Sequence, residues 1–219
     1  MIAESLISNQ ILPLRTSDKG EDALAMMDDF YVRHLPIVNN EQLLGLISDD
    51  DILEFDPEEP IGSYRLSLYR PYIHTYDHVY EVMRQLASHN LTLIPVIDGE
   101  DNYQGVITQE DLLKYFANTG SFSESGSIMV LEINKRDYSM VEISRIIESE
   151  GASILSSFIT SQPDSLRMEL TLKINKQNIQ SVIATFQRFD YSIKATFNEA
   201  EYYESLKERY DSLMSYLNV

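Results

Sequence analysis

The chain has 219 residues, which is enough for one large domain or two small ones, and 43% of them are hydrophobic, which is enough to bury a core. It has no cysteine, so a disulfide framework and a thiolate nucleophile or metal site are excluded. Its 35 acidic residues outnumber 17 basic ones, and the formal charge of -18 disfavours nucleic acid and anionic membranes as partners. No apolar run is long enough for a membrane helix and residues 1–12 lack the basic start of a signal peptide, so we expect a cytoplasmic protein.

The first half of the chain contains an internal repeat. Residues 13–53 align with residues 72–113 at an offset of 59, and one extra residue in the second copy moves the later matches to 60. The matched pairs include Thr16 with Thr75, Asp18 with Asp77, Pro36 with Pro95, Gly45 with Gly105, and Asp51 with Asp111. Two copies indicate a paired module rather than a solenoid.

Each copy predicts the element order β-α-β-β-α. The extended first segments end at Thr16 and Thr75, and Asp18 and Asp77 are placed to cap the helices that follow. Apolar residues recur at helical spacing in both copies, namely Ala23, Met26, Met27 and Phe30, and then Val79, Val82, Met83 and Leu86. Two strands follow in each copy, at residues 35–38 and 45–47 and at residues 94–97 and 105–107. The second helices are predicted to begin at Ser48 and Thr108.

The closing segment of each copy resembles the motif of CBS domains. GLISDDDI at residues 45–52 and GVITQEDL at residues 105–112 follow the pattern Gly-h-h-Ser/Thr-x-x-Asp-h, in which h is apolar. The preceding HLPIV and LIPVI are similar to the central CBS strand. The resemblance covers residues 1–117, with copies at about 1–55 and 71–117. It implies a tandem (Bateman-type) pair that folds as one pseudo-twofold module with two clefts, which often bind AMP, ATP or S-adenosylmethionine.

The resemblance also implies a set of candidate ligand-binding residues. In the family, the Ser or Thr of the motif contacts phosphate and the Asp contacts ribose. The implied residues are Thr16, His34, Pro36, Ser48 and Asp51 in the first copy and Thr75, Pro95, Thr108 and Asp111 in the second. Ser/Thr-x-x-Asp is also a capping box, which satisfies N–H groups at a helix start. Both interpretations stay open, because such N–H groups also suit a phosphate.

Local charge bears on the choice of ligand. Three consecutive aspartates, residues 49–51, crowd the first motif, whereas Gln109 and Glu110 occupy the corresponding positions of the second. A magnesium-complexed adenine nucleotide or cationic S-adenosylmethionine therefore suits the surroundings better than free AMP. We expect no required cofactor. We also expect no protein-bound metal, since the spaced pair His74 and His78 lacks an evident third ligand.

The second half predicts a different domain after a small, polar linker at residues 118–126. The predicted elements are strand 127–134, helix 140–150, strand 152–160, strand 166–174, helix 178–189 and strand 191–197. This β-α-β-β-α-β order over residues 127–198 is the ferredoxin-like split unit. After a CBS pair it is similar to an ACT domain, a regulatory module that often binds amino acids at a dimer interface. The resemblance makes Asp137, Tyr138 and Ser139 weak candidates for a ligand loop, which lacks the glycine of many ligand-binding ACT domains.

Residues 200–219 predict a C-terminal helix. Its apolar residues Tyr203, Leu206, Tyr210, Leu213 and Leu217 follow spacings of three and four, which form a heptad stripe. Fewer than three heptads do not sustain an isolated coiled coil. The stripe is therefore expected to pack either on its own domain or on a second subunit.

Together these features predict a mixed α+β/α/β chain with tandem CBS repeats, a ferredoxin-like ACT-type domain and a C-terminal helix. The resemblance to small stand-alone bacterial CBS–ACT proteins implies a non-catalytic sensor. In that hypothesis the protein is a homodimer, and an adenosyl ligand is its small-molecule effector. Binding of the ligand changes the packing of domains and subunits. The homodimer then acts on an unidentified protein target. The alternative is a constitutive homodimeric assembly module without a ligand. No catalytic triad, P-loop, metal cluster or carboxylate pair stands out in the sequence, so we do not expect an enzyme.

Overall fold

A computed structural model describes residues 1–64, 70–161 and 163–198, together with residues 210, 212–214 and 216. The chain separates into two compact units, Met1–Phe116 and Ala117–Val219. Each unit has its own cluster of buried apolar side chains. Within the described ranges, no helix combines the length and the apolar character that crossing a bilayer requires.

The first unit contains both copies of the repeat. The first copy comprises helix α1 (Gly20–Asp29), strands β1 (His34–Asn39) and β2 (Gln42–Ser48), and helix α2 (Asp49–Leu53). The second comprises β3 (Ile73–His74), α3 (Val79–Ser88), β4 (Leu93–Ile97), β5 (Tyr103–Thr108) and α4 (Gln109–Ala117). Short 3-10 turns lie at Ala3–Leu6 and Ile61–Ser63. The order matches the prediction, except that the first extended segment of copy one is reduced to a bridge between Leu14 and Ile37.

Strand register fixes which ends of the elements lie together. The strands β1 and β2 are antiparallel and pair His34 with Ser48, while β4 and β5 pair Leu93 with Thr108. The second helix of each copy therefore starts beside the beginning of the central strand. The hairpin turns lie at the other end, where the backbone N–H of Tyr103 donates to the carbonyl of Glu41 across the two copies (2.7 Å).

The N-terminal segment extends the sheet of the second copy instead of the first. Ser8 and Val106 exchange backbone hydrogen bonds of 2.8 and 3.2 Å. At the neighbouring position, Gly105 has φ +141°, and a Cβ there would stand 2.6 Å from the side-chain oxygen of Asn9. The glycine of the motif thus permits a close approach of the first copy to the second. The repeat alignment, which begins at residue 13, gave no sign of this exchange.

The predicted caps of the first helices are wrong. Helix α1 begins after Lys19 without a side-chain cap, and α3 begins after His78, whose ring nitrogen accepts from the N–H of Tyr80. Asp18 instead accepts from the backbone N–H of Arg15 at 2.8 Å, and Asp77 from that of His74 at 2.9 Å. Each aspartate closes the turn before its helix, because its carboxylate reaches an N–H three residues back.

The described residues of the second unit form a four-stranded antiparallel sheet, two longer helices and one short helix. Its elements are α5 (Gly120–Ser123), β6 (Ser127–Asn134), α6 (Met140–Ser149), β7 (Ile154–Thr160), β8 (Arg167–Ile174), α7 (Gln180–Arg188) and β9 (Ser192–Asn198). The strand order is β7-β8-β6-β9, and every neighbouring pair is antiparallel. The β-α-β-β-α-β order agrees with the sequence pattern. The predicted linker 118–126 contains the short helix α5.

The C-terminal stripe is described in part. Tyr210 and Leu213 have helical backbone conformation and are exposed. The other predicted members of the stripe, Tyr203, Leu206 and Leu217, lie outside the described residues.

Candidate functional site

The motif of the first copy folds as a capping box. The Ser48 hydroxyl donates to Oδ2 of Asp51 at 2.6 Å and accepts from the Asp51 backbone N–H at 3.1 Å. The backbone N–H of Ser48 donates to the same Oδ2 at 2.9 Å. Since Oδ2 accepts both bonds, Oδ1 of Asp51 keeps its lone pairs free of any hydrogen bond from the described residues. Both side chains are half-buried.

The motif of the second copy repeats this geometry. The Thr108 hydroxyl donates to Oδ2 of Asp111 at 2.7 Å and accepts from the Asp111 N–H at 3.0 Å. The Thr108 N–H donates to Oδ2 at 3.1 Å. Oδ1 of Asp111 again has no donor among the described residues. Two half-buried carboxylates, each with one available oxygen, therefore stand at equivalent helix starts.

A polar seam joins the two copies between these helix starts. The Thr92 hydroxyl accepts from the backbone N–H of Arg33 at 2.9 Å and lies 3.0 Å from Nδ1 of His34. The same Nδ1 accepts from the backbone N–H of Thr92 at 3.3 Å. The adjoining backbone continues the seam into both helices, because the N–H groups of Asp49 and Gln109 donate to the carbonyls of Arg33 and Thr92.

The seam requires a neutral His34. Burial lowers the pKa of His34 below its usual value of 6.5, against the opposing effect of the nearby carboxylates. With Nδ1 accepting from Thr92, the ring proton of the neutral imidazole is on Nε2. Protonation of Nδ1 would place it against the Thr92 N–H, so that two donors would face each other.

Arg33 is the cation at the start of α2. Its guanidinium forms two bonds to Asp49, at 2.8 and 3.0 Å, and one to Asp50 at 2.9 Å. The guanidinium hydrogen bonds lower the pKa of Asp49. Arg33 is therefore committed to two aspartates, and the first site keeps the excess negative charge that the sequence indicated. At the second site Glu110 pairs with Lys114, and the amide of Gln109 donates to the Leu91 carbonyl.

Two of the three threonines of the predicted set, Thr16 and Thr75, lie at the opposite end of the sheets from Ser48 and Thr108. Leu14 pairs in parallel with Ile37, which puts Thr16 beside the end of β1, whereas Ser48 pairs with His34 at its start. At about 3.3 Å per residue, these ends are roughly 16 Å apart. Likewise the Thr75 N–H donates to the Ile97 carbonyl at the end of β4.

Within each copy, Thr16 is therefore remote from Ser48 and Asp51, and Thr75 is remote from Thr108 and Asp111. The register of the parallel pairing is the reason, and the repeat alignment does not reveal it. Pro36 and Pro95 are buried within β1 and β4 and contribute to the packing of the sheets.

Thr16 lines a separate cavity of about 840 Å³ at the hairpin end of the first copy. The cavity lies between the turn before α1 and the β1–β2 hairpin, with Arg15, Asn39 and Asn40 among its polar walls. Neither Ser48 nor Asp51 reaches it. The predicted site residues are thus divided between two ends of the sheets. Ser48, Asp51, Thr108 and Asp111 lie at the helix starts beside the polar seam, and Thr16 and Thr75 lie at the hairpin end.

The comparisons with known proteins bear on this half of the chain. Residues 3–58 and 69–118 match the family model of the CBS domain. The first half of the chain is a tandem CBS domain pair. An uncharacterised protein of Methanocaldococcus jannaschii is 21% identical over 109 residues, which are 49% of this chain and 41% of that protein. This chain therefore spans less than half the length of that relative.

Solved structures similar to the CBS pair cover about half of the chain. A CBS domain pair/ACT domain protein from Thermotoga maritima is 17% identical over 53% of this chain and 96% of its own, with a TM-score of 0.48. The protein CBSX2, in complex with AMP, is 17% identical over 52% of this chain and 95% of its own, with a TM-score of 0.46.

The loop between β6 and α6 is occupied by structural interactions. Asp137 accepts from the side-chain amide of Asn134 at 3.1 Å, Ser139 caps α6 through the Glu142 N–H, and Tyr138 packs against the core of the second unit. A cavity of about 350 Å³ adjoins this loop. Its charged lining consists of Glu132, Asp137, Glu142, Asp190 and Arg167. Four carboxylates and one guanidinium make it a poor receptor for the carboxylate of a free amino acid.

The histidines predicted not to hold a metal have other contacts. His74 stacks on Tyr76 and its Nδ1 lies 3.3 Å from the Asp98 carbonyl, while His78 begins α3. Among the residues that the structure describes, no group of three or more His, Asp or Glu side chains could hold a metal ion.

The polar seam of the CBS pair is not predicted by any local sequence pattern. Thr92 and Arg33 stand at equivalent positions of the two copies, one residue before the aligned central strands. Their different side chains hid the correspondence, and no local motif marks either residue. The useful signal would have been two polar side chains just before the aligned central strands, His34 before residues 35–38 and Thr92 before residues 94–97.

Proposed function

We propose that the CBS pair is a non-catalytic sensor of an adenosyl ligand, bound at the helix starts of α2 and α4. One observation carries the proposal. Asp51 and Asp111 each use one carboxylate oxygen for the cap and keep the other available. A carboxylate oxygen in this setting is a good acceptor for the vicinal hydroxyls of ribose. The cap and the ligand therefore use different oxygens of one side chain.

The second site is the better receptor of the two. At the start of α4, the N–H groups of Gln109 and Asp111 are already donated to Thr92 and Thr108. Few backbone donors remain for phosphate, so recognition rests on the ribose. Glu110 is balanced by Lys114, whereas Asp49 and Asp50 share Arg33 at the first site. The acidic surroundings favour a nucleotide complexed with magnesium, or the sulfonium of S-adenosylmethionine, over free AMP.

The seam supplies a route from ligand to response. A ligand at α4 contacts the helix whose first N–H bonds to Thr92, and Thr92 binds both Arg33 and His34 of the other copy. A shift of α4 therefore changes the packing of the two copies. The shift is limited by the difference in the ligand's affinity for the two arrangements. The output in this proposal is altered binding of a separate cytoplasmic protein target.

The test is a thermal-shift panel with AMP, ADP, ATP with and without magnesium, and S-adenosylmethionine, followed by calorimetric titration of any ligand that stabilises. At one hundred times its Kd, a ligand adds about 2.7 kcal/mol, which corresponds to roughly 11 °C for a unit the size of Met1–Phe116. Asp111→Asn should abolish the shift. The matched control Glu110→Gln removes the same charge one residue away and should retain it.

The same pairing applies to the first site, with Asp51→Asn tested against the exposed Asp50→Asn. If Asp111→Asn and Asp51→Asn bind every stabilising ligand as tightly as their controls, the assignment of the site is wrong. If none of the compounds stabilises the protein, the sensor hypothesis fails.

The second candidate is a constitutive assembly module without a small-molecule ligand. The capping boxes favour it, because Ser48, Asp51, Thr108 and Asp111 already have the partners that a helix start requires. Unchanged thermal unfolding with the whole panel, together with unchanged self-association, would support this candidate.

We further propose that the second unit is ACT-like. Its β-α-β-β-α-β order, antiparallel sheet and the packing of α6 and α7 in one core support the proposal. Amino-acid binding at Asp137, Tyr138 and Ser139 is not part of it, because those side chains serve the turn, the core and the helix cap. A panel of the twenty amino acids should therefore leave the unfolding of this unit unchanged.

A further inference from the structure

The cavity of about 840 Å³ at the hairpin end of the first copy is separate from the helix starts of the proposed adenosyl sites. It lies between two walls, which are the turn of residues 15–18 before α1 and the β1–β2 hairpin at residues 38–41. A volume of this size is in the range of small-molecule sites, which are usually formed before the ligand arrives. It is called here the hairpin cavity.

Backbone hydrogen bonds hold both walls of the hairpin cavity in place. The linker between the copies supports the turn, since the N–H of Gly62 donates to the Thr16 carbonyl at 2.8 Å. The second copy supports the hairpin, since the N–H of Tyr103 donates to the Glu41 carbonyl at 2.7 Å. The cavity is therefore preformed, and the side chains that line it do not have to hold its walls.

The second copy differs at the place that corresponds to the hairpin cavity. There the Thr75 N–H donates to the Ile97 carbonyl at 3.0 Å. The equivalent bond, from Thr16 to Val38, is absent from the first copy. The turn and the hairpin of the first copy therefore separate one residue earlier, which opens the cavity between them.

Aromatic side chains occupy the equivalent turn positions of the second copy. His74 corresponds to Arg15, and Tyr76 corresponds to Ser17. The rings of His74 and Tyr76 stack with 4.9 Å between their centroids. Nδ1 of His74 lies 3.3 Å from the Asp98 carbonyl, so this ring reaches from the turn to the hairpin. The two copies thus share a backbone at this place, and only the first leaves polar side chains around an open volume.

The hairpin cavity is lined by hydrogen-bond donors that have no partner within the described ranges. The guanidinium of Arg15 forms no ion pair there, and the side-chain amides of Asn39 and Asn40 form no hydrogen bond. The hydroxyls of Thr16 and Ser17 are likewise available. A guanidinium accompanied by amide and hydroxyl donors is suited to bind a carboxylate.

Acidic and apolar groups in the same lining restrict the ligand further. Asp18 uses Oδ2 to accept from the Arg15 N–H at 2.8 Å, and its Oδ1 has no donor among the residues described. Glu41 adds a second carboxylate, so the lining carries one positive and two negative charges. This balance disfavours a phosphate compound and favours a ligand with both a carboxylate and an ammonium group. The apolar part of the lining consists of Leu12, Pro13, Met26 and Val38.

We propose that the hairpin cavity binds a zwitterion of the amino-acid type, which is a free amino acid or a short peptide. Arg15 and the amides of Asn39 and Asn40 bind its carboxylate. Asp18 and Glu41 bind its ammonium group, and its side chain lies on the apolar part of the lining. The proposal is independent of an adenosyl ligand at α2 or α4.

The test is scanning calorimetry of the full-length protein with each of the twenty amino acids, and then with dipeptides of those that stabilise. The transition of the first unit should rise, by about 11 °C at one hundred times the Kd, and that of the second unit should not move. Whichever binds more tightly in calorimetric titration, the free amino acid or its dipeptide, identifies the source of the zwitterion.

Derivatives that lack one charge test the zwitterion itself. The amide of the best amino acid has no carboxylate, and its N-acetyl derivative has no ammonium group. Each should bind at least about tenfold more weakly than the parent compound, because each loses a charged hydrogen bond.

Two substitutions in the lining have matched controls. Arg15→Gln removes the guanidinium and should lower the affinity about tenfold to a hundredfold, whereas Arg84→Gln removes an exposed guanidinium from α3 and should bind as the wild type does. Ser17→Tyr introduces the side chain that the second copy has at this position and should abolish binding. Its control Ser88→Tyr adds the same ring at an exposed position of α3 and should retain binding.

Four results would overturn the proposal. They are no stabilisation by any amino acid or dipeptide, an equal rise of both transitions, binding that Arg15→Gln leaves unchanged, and derivatives that bind as tightly as the zwitterion. The two proposed sites can fail separately. An adenosyl ligand at α4 should still bind to Arg15→Gln and should not bind to Asp111→Asn, while the zwitterion should show the opposite pattern.

Discussion

The polar seam of the CBS pair can be tested by removing a single hydroxyl. Thr92→Val keeps the shape of the side chain, and it deprives the Arg33 N–H of its acceptor (2.9 Å) and Nδ1 of His34 of one donor (3.0 Å). Loss of a hydrogen bond that leaves a partly buried partner unsatisfied costs about 1–2 kcal/mol. For a unit the size of Met1–Phe116, this corresponds to a decrease in Tm of roughly 4–8 °C.

Differential scanning calorimetry is the suitable assay, because the two units can unfold in separate transitions. The transition of the first unit should move and that of the second should not. Thr92→Ser retains the hydroxyl and should recover most of the loss. Thr75→Val is the matched control, since the half-buried Thr75 hydroxyl has no hydrogen-bond partner among the described residues. If Thr92→Val lowers Tm no further than Thr75→Val, the seam does not stabilise the pair.

Three further predictions concern the same unit. The pKa of His34 is lower in the folded protein than in the unfolded chain, so the unfolded state binds more protons below pH 6.5. Stability should therefore fall as the pH decreases from 7 through the native pKa. His34→Gln should flatten that part of a Tm–pH profile. Tyr103→Phe should leave the free energy of unfolding, measured by urea titration, unchanged or raise it by up to about 1 kcal/mol. The reason is that the Tyr103 hydroxyl is buried without a partner among the described residues. Gly105→Ala should destabilise the protein by about 2 kcal/mol or more, since Gly105 has φ +141° and an added Cβ meets Asn9 at 2.6 Å. The control Gly99→Ala has open space around it and should change stability by less than about 0.5 kcal/mol. Equal losses of stability in the two variants would contradict backbone strain at Gly105.

The sequence by itself determined the repeat, the order of elements and the helix starts at Ser48 and Thr108. These features are local, because apolar periodicity and the Ser/Thr-x-x-Asp spacing act within one turn or one strand. The sequence also indicated β-α-β-β-α-β in the second half, where alternating strands such as residues 167–174 leave little ambiguity.

Only the tertiary structure decided which candidate residues meet. Parallel register places Thr16 beside the hairpin end of β1, far from Ser48, and no local pattern specifies that register. The exchange of Ser8 with the second copy and the contact of Thr92 with His34 are likewise non-local, since they join residues that lie 98 and 58 positions apart. Contacts of this range depend on how complete sheets pack, and that packing is a property of the folded chain as a whole.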